Sequence, residues 1–340
     1  MISAILINAQ NEPVQIVKQA ANFFIADRAF DCATGSFTVS LKNRRENSRL
    51  QDVRVVHIFG DGINRIFKVD KSTMDNTRAF PKLNYDISGN EFLLADRSEG
   101  LSEIIWTDVD PLDTCVDLVY RIQNGDPARR YIQLEDTAIK EGSLEVLKTC
   151  QMAGGNVWTY IQEQMQSYKF CCDGMTTSFG KSQLRFRVPQ DRKDIILSEL
   201  SRHTHLQYVN TDYTLIRNYV IAGGEGEGIR KKVSVYDSGA TGIDRVEEYV
   251  DASSLASNEG YVSNAKYYEM LEAEAQKVAK EKELETDYIV PLSLFKKVRT
   301  GDTIYTSSFA VNNGRLEPRV ISEMKTEVVN GVMSRSITFV

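Results

Sequence analysis

The sequence predicts a mixed α+β, multidomain chain, and three observations carry that prediction. Runs with period-two alternation and turn residues between them crowd residues 1–80 and 300–340. Apolar positions at helical spacing mark the middle of the chain, near residues 143–168. A longer helical stripe, Asn258–Leu284, interrupts the C-terminal β region. At 340 residues the chain has room for roughly two to four domains with ordinary cores.

Element by element, the N-terminal part reads as antiparallel β. Ser36–Leu41 alternates after Gly35, and Val53–Phe59 and Ile63–Val69 flank Asp61-Gly62, a dipeptide suited to a type I′ hairpin. Ser143–Met152 and Asn156–Tyr168 read as helices divided by Gly154-Gly155. In the second, Val157, Tyr160, Ile161, Met165 and Tyr168 form an apolar stripe. Tyr168–Cys172 and Gln183–Val188 read as strands around Asp173-Gly174 and Gly180. The apolar run Tyr219–Ala222 then leads into four glycines, Gly223, Gly224, Gly226 and Gly228, followed by Arg230, Lys231, Lys232, a strand-like stretch and a second turn at 239–245. Such a loop bends through conformations other residues avoid, or approaches something closely.

The Asn258–Leu284 helix sets Val262, Ala265, Tyr268, Leu271, Ala275 and Val278 on one face. Glu272, Glu274, Lys277, Lys280, Glu281 and Lys282 lie on or beside the other, a solvated face. Strands at Thr303–Ser307, Arg319–Ile321, Glu327–Val329 and Val332–Val340 follow, with hairpin turns at Asn313-Gly314 and Asn330-Gly331.

Composition narrows the function classes. With 15 Tyr, 14 Phe and 26% charged residues the chain is globular. The net charge of −6 lacks the basic excess of a nucleic-acid-binding surface. No apolar run approaches the roughly 20 residues that span a bilayer, and the first residues lack the features of a signal peptide. Cys32, Cys115, Cys150, Cys171 and Cys172 match neither a disulfide framework nor a metal pair, so they read as small buried hydrophobes of a protein folded in a reducing cytoplasm.

The candidate chemistry is thin. The glycine loop holds Glu225 and Glu227, which repel phosphate, and a strand rather than a helix follows it. It reads as a connector between strands. His57 lies in an alternating strand as a half-buried side chain. His203 and His205 share a face if both sit on a strand, but no ligand partner lies at motif spacing. Asp108, Asp110 and Asp113 lack the glycine and glutamate of a calcium loop and read as a polar turn around Pro111. No catalytic set, metal site or cofactor site is expected.

The order of short motifs is more informative. Asp27-Arg28 precedes Gly35-Ser36-Phe37; Ser88-Gly89 and Ala95-Asp96-Arg97 come next. Asn218, Val220–Ala222, the 223–228 loop and Arg230 follow, then Gly242, Asp244, Arg245 and Glu247, then Val250, Asp251 and Ala252. Gly301, Asp302 and Ile304 precede Arg319–Ile321 and Glu323. In this order, over nearly the whole chain, the sequence resembles the siphophage tail-tip baseplate hub family, whose larger members are the tail-associated lysins (Tal), similar in turn to contractile-tail baseplate hub proteins.

The resemblance implies two β-barrel-like domains joined by an α/β domain, with a helical insertion in the second barrel: 1–85, 86–190, 191–250 with 288–340, and 251–287. It implies a structural homotrimer at the virion tail tip, made in the bacterial host cytoplasm and gating DNA ejection without binding DNA specifically. The implied partners are the distal tail protein, the tape measure protein and receptor-binding or lytic tip proteins. Gly223, Gly224, Gly226, Gly228, Arg230, Asp244, Arg245, Asp251, Gly301 and Asp302 are then structural or interface positions. Because the chain stops at Val340, directly after the hub, a C-terminal hydrolase or fibre is expected to be missing and enzymatic activity not to carry over. The rival reading is a tail-tip cell-wall hydrolase or metal-dependent hydrolase using His203 and His205.

Overall fold

A computed structural model describes the chain except residues 1, 19–21, 42–49, 51, 76–80, 100–103, 153, 213, 215, 254, 256–263, 281–282, 330 and 340. Among the described residues the protein is mostly β, with 50% strand and 22% helix, and its largest element is an antiparallel sheet. It divides into two compact units. One comprises Met1–Tyr208 and Asp287–Phe339, the other Val209–Thr286.

In the larger unit, Ser3–Asn8 pairs with Pro13–Lys18 on one side and Val53–Gly60 on the other. Val53–Gly60 turns into Ile63–Asp75 through Asp61 (φ 49°) and Gly62 (φ 86°), the two positive angles a type I′ turn requires. The sheet continues through Lys82–Gly89, Thr34–Ser40 and Phe23–Arg28. Inward-facing alternate residues of these strands, among them Phe37, Val39, Val56, Leu83 and Tyr85, form one core.

The far edge of Phe23–Arg28 is taken by a strand from the other end of the chain, Glu317–Val329, which pairs Phe24 with Glu327 and Asp27 with Met324. That 13-residue strand unites the two short strands expected at Arg319–Ile321 and Glu327–Val329. It turns into Val332–Phe339 with Val329 opposite Val332 and Gly331 at φ 81°; Asn330 and Val340 lie outside the described residues. Its first residues also pair with Thr303–Ser307, which runs parallel to Asp191–Ser198. Ile195, Leu197, Tyr288, Ile304, Ile321, Ile337 and Phe339 make a second core beneath these strands. Among the described residues the path of paired strands is open and closes no barrel. Asn313-Gly314 differs from the expected tight hairpin. Both residues have positive φ, but they end a one-turn helix, Phe309–Asn312, that Ser308 caps.

A third core is built by helices. Helix α1, Pro111–Asn124, corrects the expected polar turn at Pro111. The Asp110 carboxylate accepts the Leu112 N–H at 3.0 Å and Pro111 occupies the first helical position, an N-cap arrangement. Leu112, Cys115, Leu118, Val119 and Ile122 then face inward. The helix expected at Ser143–Met152 does not form. The Ser143 hydroxyl and Leu144 N–H both donate to Asp110, Glu145 adopts φ 55°, and Lys148–Met152 becomes a strand against Ile104–Val109.

Helix α2, Val157–Tyr168, is the expected second helix. Asn156 caps it by accepting the Thr159 N–H, and Lys169 at φ 56° ends it. Because α2 occupies Tyr168, the next strand begins at Cys171. It runs through Asp173-Gly174 to Ser178 and turns at Gly180 into Lys181–Arg187. Asp173-Gly174 is therefore mid-strand rather than a turn.

The smaller unit is a three-stranded sheet under one helix. Tyr219–Gly223 is central, with Val233–Asp237 antiparallel on one side and Glu247–Asp251 parallel on the other. Helix α3, Asn264–Val278, covers one face and buries Tyr267, Leu271 and Ala275 against Val220, Ala222 and Ala252. The buried tyrosine is Tyr267, whereas the expected Tyr268 is 43% exposed. The 267–271–275–278 series keeps the stripe in phase, and Tyr268 falls outside it. The expected residues 258–263, with Val262, and 281–282 lie outside the described residues.

Asp110 holds α1 and the 143–145 turn together, and the hydrogen bonds it accepts keep its carboxyl below the usual range although burial opposes this. A carboxyl depressed in the folded state adds stability above its unfolded pKa and loses it as pH falls through the folded one. Asp110→Ala is expected to cost about 2 kcal/mol at neutral pH. The deficit relative to wild type should shrink on acidification, as thermal melts at pH 7 and pH 3 will record.

Candidate functional site

The sequence-selected residues fall into two places. In the smaller unit, the glycine loop links the central strand to Val233–Asp237, and internal hydrogen bonds engage the N–H groups of Gly224 and Glu225 and those of Lys231 and Lys232 after it. Gly224 N–H donates to the Lys232 carbonyl at 2.8 Å, Lys232 N–H to the Glu225 carbonyl at 2.8 Å, and Lys231 N–H to the Gly228 carbonyl at 3.2 Å. The Glu225 N–H donates to the Tyr267 hydroxyl at 2.8 Å, which itself donates to the Leu255 carbonyl. A phosphate cradle needs such amides free and convergent, so the loop acts as a connector.

Its glycines have separate reasons. A side chain on Gly224 would strike the Tyr267 hydroxyl and Leu271, so its absence lets α3 approach. Gly223 leaves a gap over which Lys231 reaches the Tyr249 ring, 5.2 Å from its centroid. Gly226 takes φ 99° and Gly228 φ 55°, ending in a short 3-10 turn that leaves Arg230 exposed. At the other end of the sheet, Arg245 lies over the Tyr219 ring at 3.5 Å and donates to Glu247, while the Asp244 carbonyl accepts from Asn218. Asp251 accepts the Ser253 N–H.

Gly301 and Asp302 belong to the larger unit and to a different arrangement, a chain of buried ion pairs. Arg187, 2% exposed, donates to Asp173 at 3.1 Å, to the Thr300 carbonyl at 2.5 Å, and to Asp302 at 3.4 Å. Asp302 also accepts the N–H groups of Gln190 and Arg299, both at 3.0 Å. Arg185 donates to Asp173 and pairs with Glu141. Arg65 donates to Asp27 at 2.7 Å and lies 3.7 Å from Glu91. Arg28 pairs with Glu323.

Gly301 takes φ 82°, and a Cβ there would sit 2.5 Å from the Cys171 sulfur. The Asp27-Arg28 and Glu323 motif positions, remote in sequence, thus meet on adjacent strands. Of these groups Asp27, Arg28, Arg65, Glu91, Asp173, Arg185 and Arg187 line a cleft of about 290 Å³.

Burial opposes ionisation of Asp173, but Arg187 and Arg185 overcome it and hold its carboxyl below the usual range. Burial pushes Glu91 the other way, upward, against the pull of Arg65 and the Ala33 N–H. One Glu91 oxygen, Oε2, has no hydrogen-bond partner. Sequence reading did not single out Arg65, Glu91, Asp173, Arg185 or Arg187. The available signal was arginine alternating with apolar residues in the strand 183–188.

The rival chemistry finds little support in the geometry. His203 lies in a turn and His205 opens a strand; both are exposed, and among the described residues no group of three metal-ligating side chains exists. His57 is on its expected strand and hydrogen-bonds Asn64 at 2.7 Å. Burial raises all five thiols, Cys171 to about 11, so none is a ready thiolate.

No model of a known family matches the sequence, and no curated protein matches it at the sequence level. Solved structures do match over the whole chain. The tail protein from Neisseria meningitidis MC58 superposes with a TM-score of 0.59 at 9% identity, covering 99% of this chain and 96% of that one. The 43 kDa tail protein of prophage MuSo2 from Shewanella oneidensis gives 0.59 at 10% identity, covering 99% and 98%. Prophage tail protein gp18 from Listeria monocytogenes EGD-e gives 0.53 at 13% identity, covering 99% and 93%. The chain has the fold of phage tail proteins.

Removing one charge from the ion-pair chain leaves its partners buried and uncompensated. Asp173→Asn is expected to cost about 3–5 kcal/mol at pH 7, measured by denaturant unfolding. Glu91 is the opposite case, because a carboxyl raised in the folded state loses stability as pH rises through its folded pKa. Glu91→Gln should therefore gain on wild type between pH 4.5 and pH 8, and a parallel pH dependence would contradict the assignment.

Proposed function

We propose that this chain is a structural tail protein that forms the trimeric hub at the tail tip of a phage or prophage. It joins the tail tube and distal tail protein to the host-facing tip and gates DNA ejection. One observation carries the reading: the likeness to tail proteins runs through 99% of this chain and 96% of the Neisseria protein, so it embraces the whole architecture rather than one module. The motif order set out above supports the narrower assignment to the hub.

In this reading the division into two barrel-like domains, an α/β domain and a helical insertion is that of the hub. Gly301 and Asp302 shape the junction between cores, and the loop residues Gly223 to Arg230, with Asp244, Arg245 and Asp251, shape a subunit contact. The tape measure protein and receptor-binding or lytic tip proteins are the further partners. The role is structural, and DNA passes without specific binding, in keeping with the net charge of −6.

Sedimentation at micromolar concentration, alone and with the distal tail protein, tests this. A mass three times that of the chain is expected. A chain that stays monomeric even with that partner overturns the reading. Incubation with purified bacterial cell wall is expected to release no fragments, and lysis that is lost in His203→Ala would favour the hydrolase instead.

A further inference from the structure

The three-stranded sheet of the smaller unit is covered on one face only. Helix α3 packs on the face holding Val220, Ala222, Tyr236 and Val250. The opposite face carries Val233 (41% exposed), Val235 (40%) and Tyr249 (50%), with Asp237, Glu247 and Asp251 also exposed. Among the described residues neither outer strand, Val233–Asp237 nor Glu247–Asp251, has a partner on its outer edge. Open edges of this kind are templates for pairing with another chain.

The two edges are complementary. The central strand is antiparallel to one outer strand and parallel to the other, so the outer strands run in opposite directions. Laying the Val233 edge of one copy beside the Glu247 edge of the next therefore continues the sheet in antiparallel fashion. The charges choose the register. Each outer segment is basic where it begins (Lys231; Arg245) and acidic where it ends (Asp237; Asp251). With Lys231 opposite Asp251, Val233 faces Tyr249, Val235 faces Glu247, and Asp237 faces Arg245. Both terminal pairs are of opposite charge, which favours cross-strand pairing.

Val233, Val235 and Asp237, and Glu247, Tyr249 and Asp251, share the open face by even steps along each strand, and Lys231 and Arg245 reach it over the Tyr249 and Tyr219 rings. A slip of one residue would turn this face against the helices. The register also keeps every copy's α3 on the same side, as a closed ring needs.

We infer that the occupant of these edges is a second copy of this chain, joined head to tail, Val233 strand to Glu247 strand. One repeated heterologous contact satisfies both edges and closes by rotation, whereas self-pairing of the Val233 strands leaves the Glu247 edges open. The pairing rests on the sheet alone; its closure into three copies rests on the hub reading above.

Cysteine cross-linking of the full chain decides it. The native cysteines are buried, and Val233 and Tyr249 are exposed; Tyr249→Cys gives up the ring under Lys231 but removes no side chain from the core. Directly opposed residues of an antiparallel pair have Cα atoms about 4.5–5.5 Å apart, within the roughly 4.4–6.8 Å that a disulfide spans. A mixture of Val233→Cys and Tyr249→Cys chains under mild oxidation should give disulfide-linked pairs that neither variant gives alone. The double variant should give covalently closed trimers.

Linkage in a mixture of Val233→Cys and Val235→Cys chains instead would mean self-pairing of one edge and would overturn the inference. A protein that assembles without forming the Val233–Tyr249 link would overturn it while leaving the hub reading intact. A chain that stays monomeric with its distal tail partner present would overturn both.

Discussion

The buried guanidinium of Arg187 fixes how the larger unit is assembled. Its donors reach Asp173 on a neighbouring strand, and the Thr300 carbonyl and Asp302 in the loop before Thr303–Ser307. Arg185 extends the chain of charges to Glu141, while Arg65, Asp27 and Glu91 form the matching set beside it. Taking such charges out of water costs several kcal/mol per ion, and the pairing offsets this only when the geometry is met. The hydrophobic cores of the unit could each pack in many ways, since apolar contact is non-directional. Donors and acceptors with fixed directions leave far fewer ways for these cores to meet.

The smaller unit reaches the same end by subtraction. Gly224 lets α3 come close enough for the Tyr267 hydroxyl to bridge the loop and the Leu255 carbonyl, and Gly223 lets Lys231 cross the central strand to Tyr249. At the other end Arg245 stacks on Tyr219. Small residues in the central strand and long cations at the rims are thus one device. It also explains why a loop rich in glycine carries carboxylates: Glu225 faces Lys232 at 3.4 Å rather than a ligand.

Local chemistry was legible in the sequence and long-range chemistry was not. The Asp61-Gly62 turn, α2 and the glycine connector each follow from rules that act over a few residues. Helix α1 was legible in principle, since Asp110-Pro111 is a cap followed by a Leu112–Cys115–Leu118–Ile122 stripe, but three nearby aspartates read more readily as a turn. Ser143–Met152 has helix-forming residues, yet Asp110 captures its start and the Ile104–Val109 strand its end, so tertiary partners override local preference. The ion-pair chain joins residues as far apart as Arg28 and Glu323. Only the order of motifs hinted that these belonged together, and no spacing rule reaches that far.

The pairing of Phe23–Arg28 with Glu317–Val329 has a consequence for how the molecule comes into being. A ribosome delivers the first strand nearly three hundred residues before its neighbour. Through that interval the early sheet presents an unsatisfied row of N–H and C=O groups, those of Phe23 and Ile25 among them, to a crowded cell. Vectorial synthesis therefore leaves a long window for mispairing, and the final registration waits on the chain's last strands. The native pairing of the larger unit is reached late, the behaviour expected where contacts of high sequence separation set the rate.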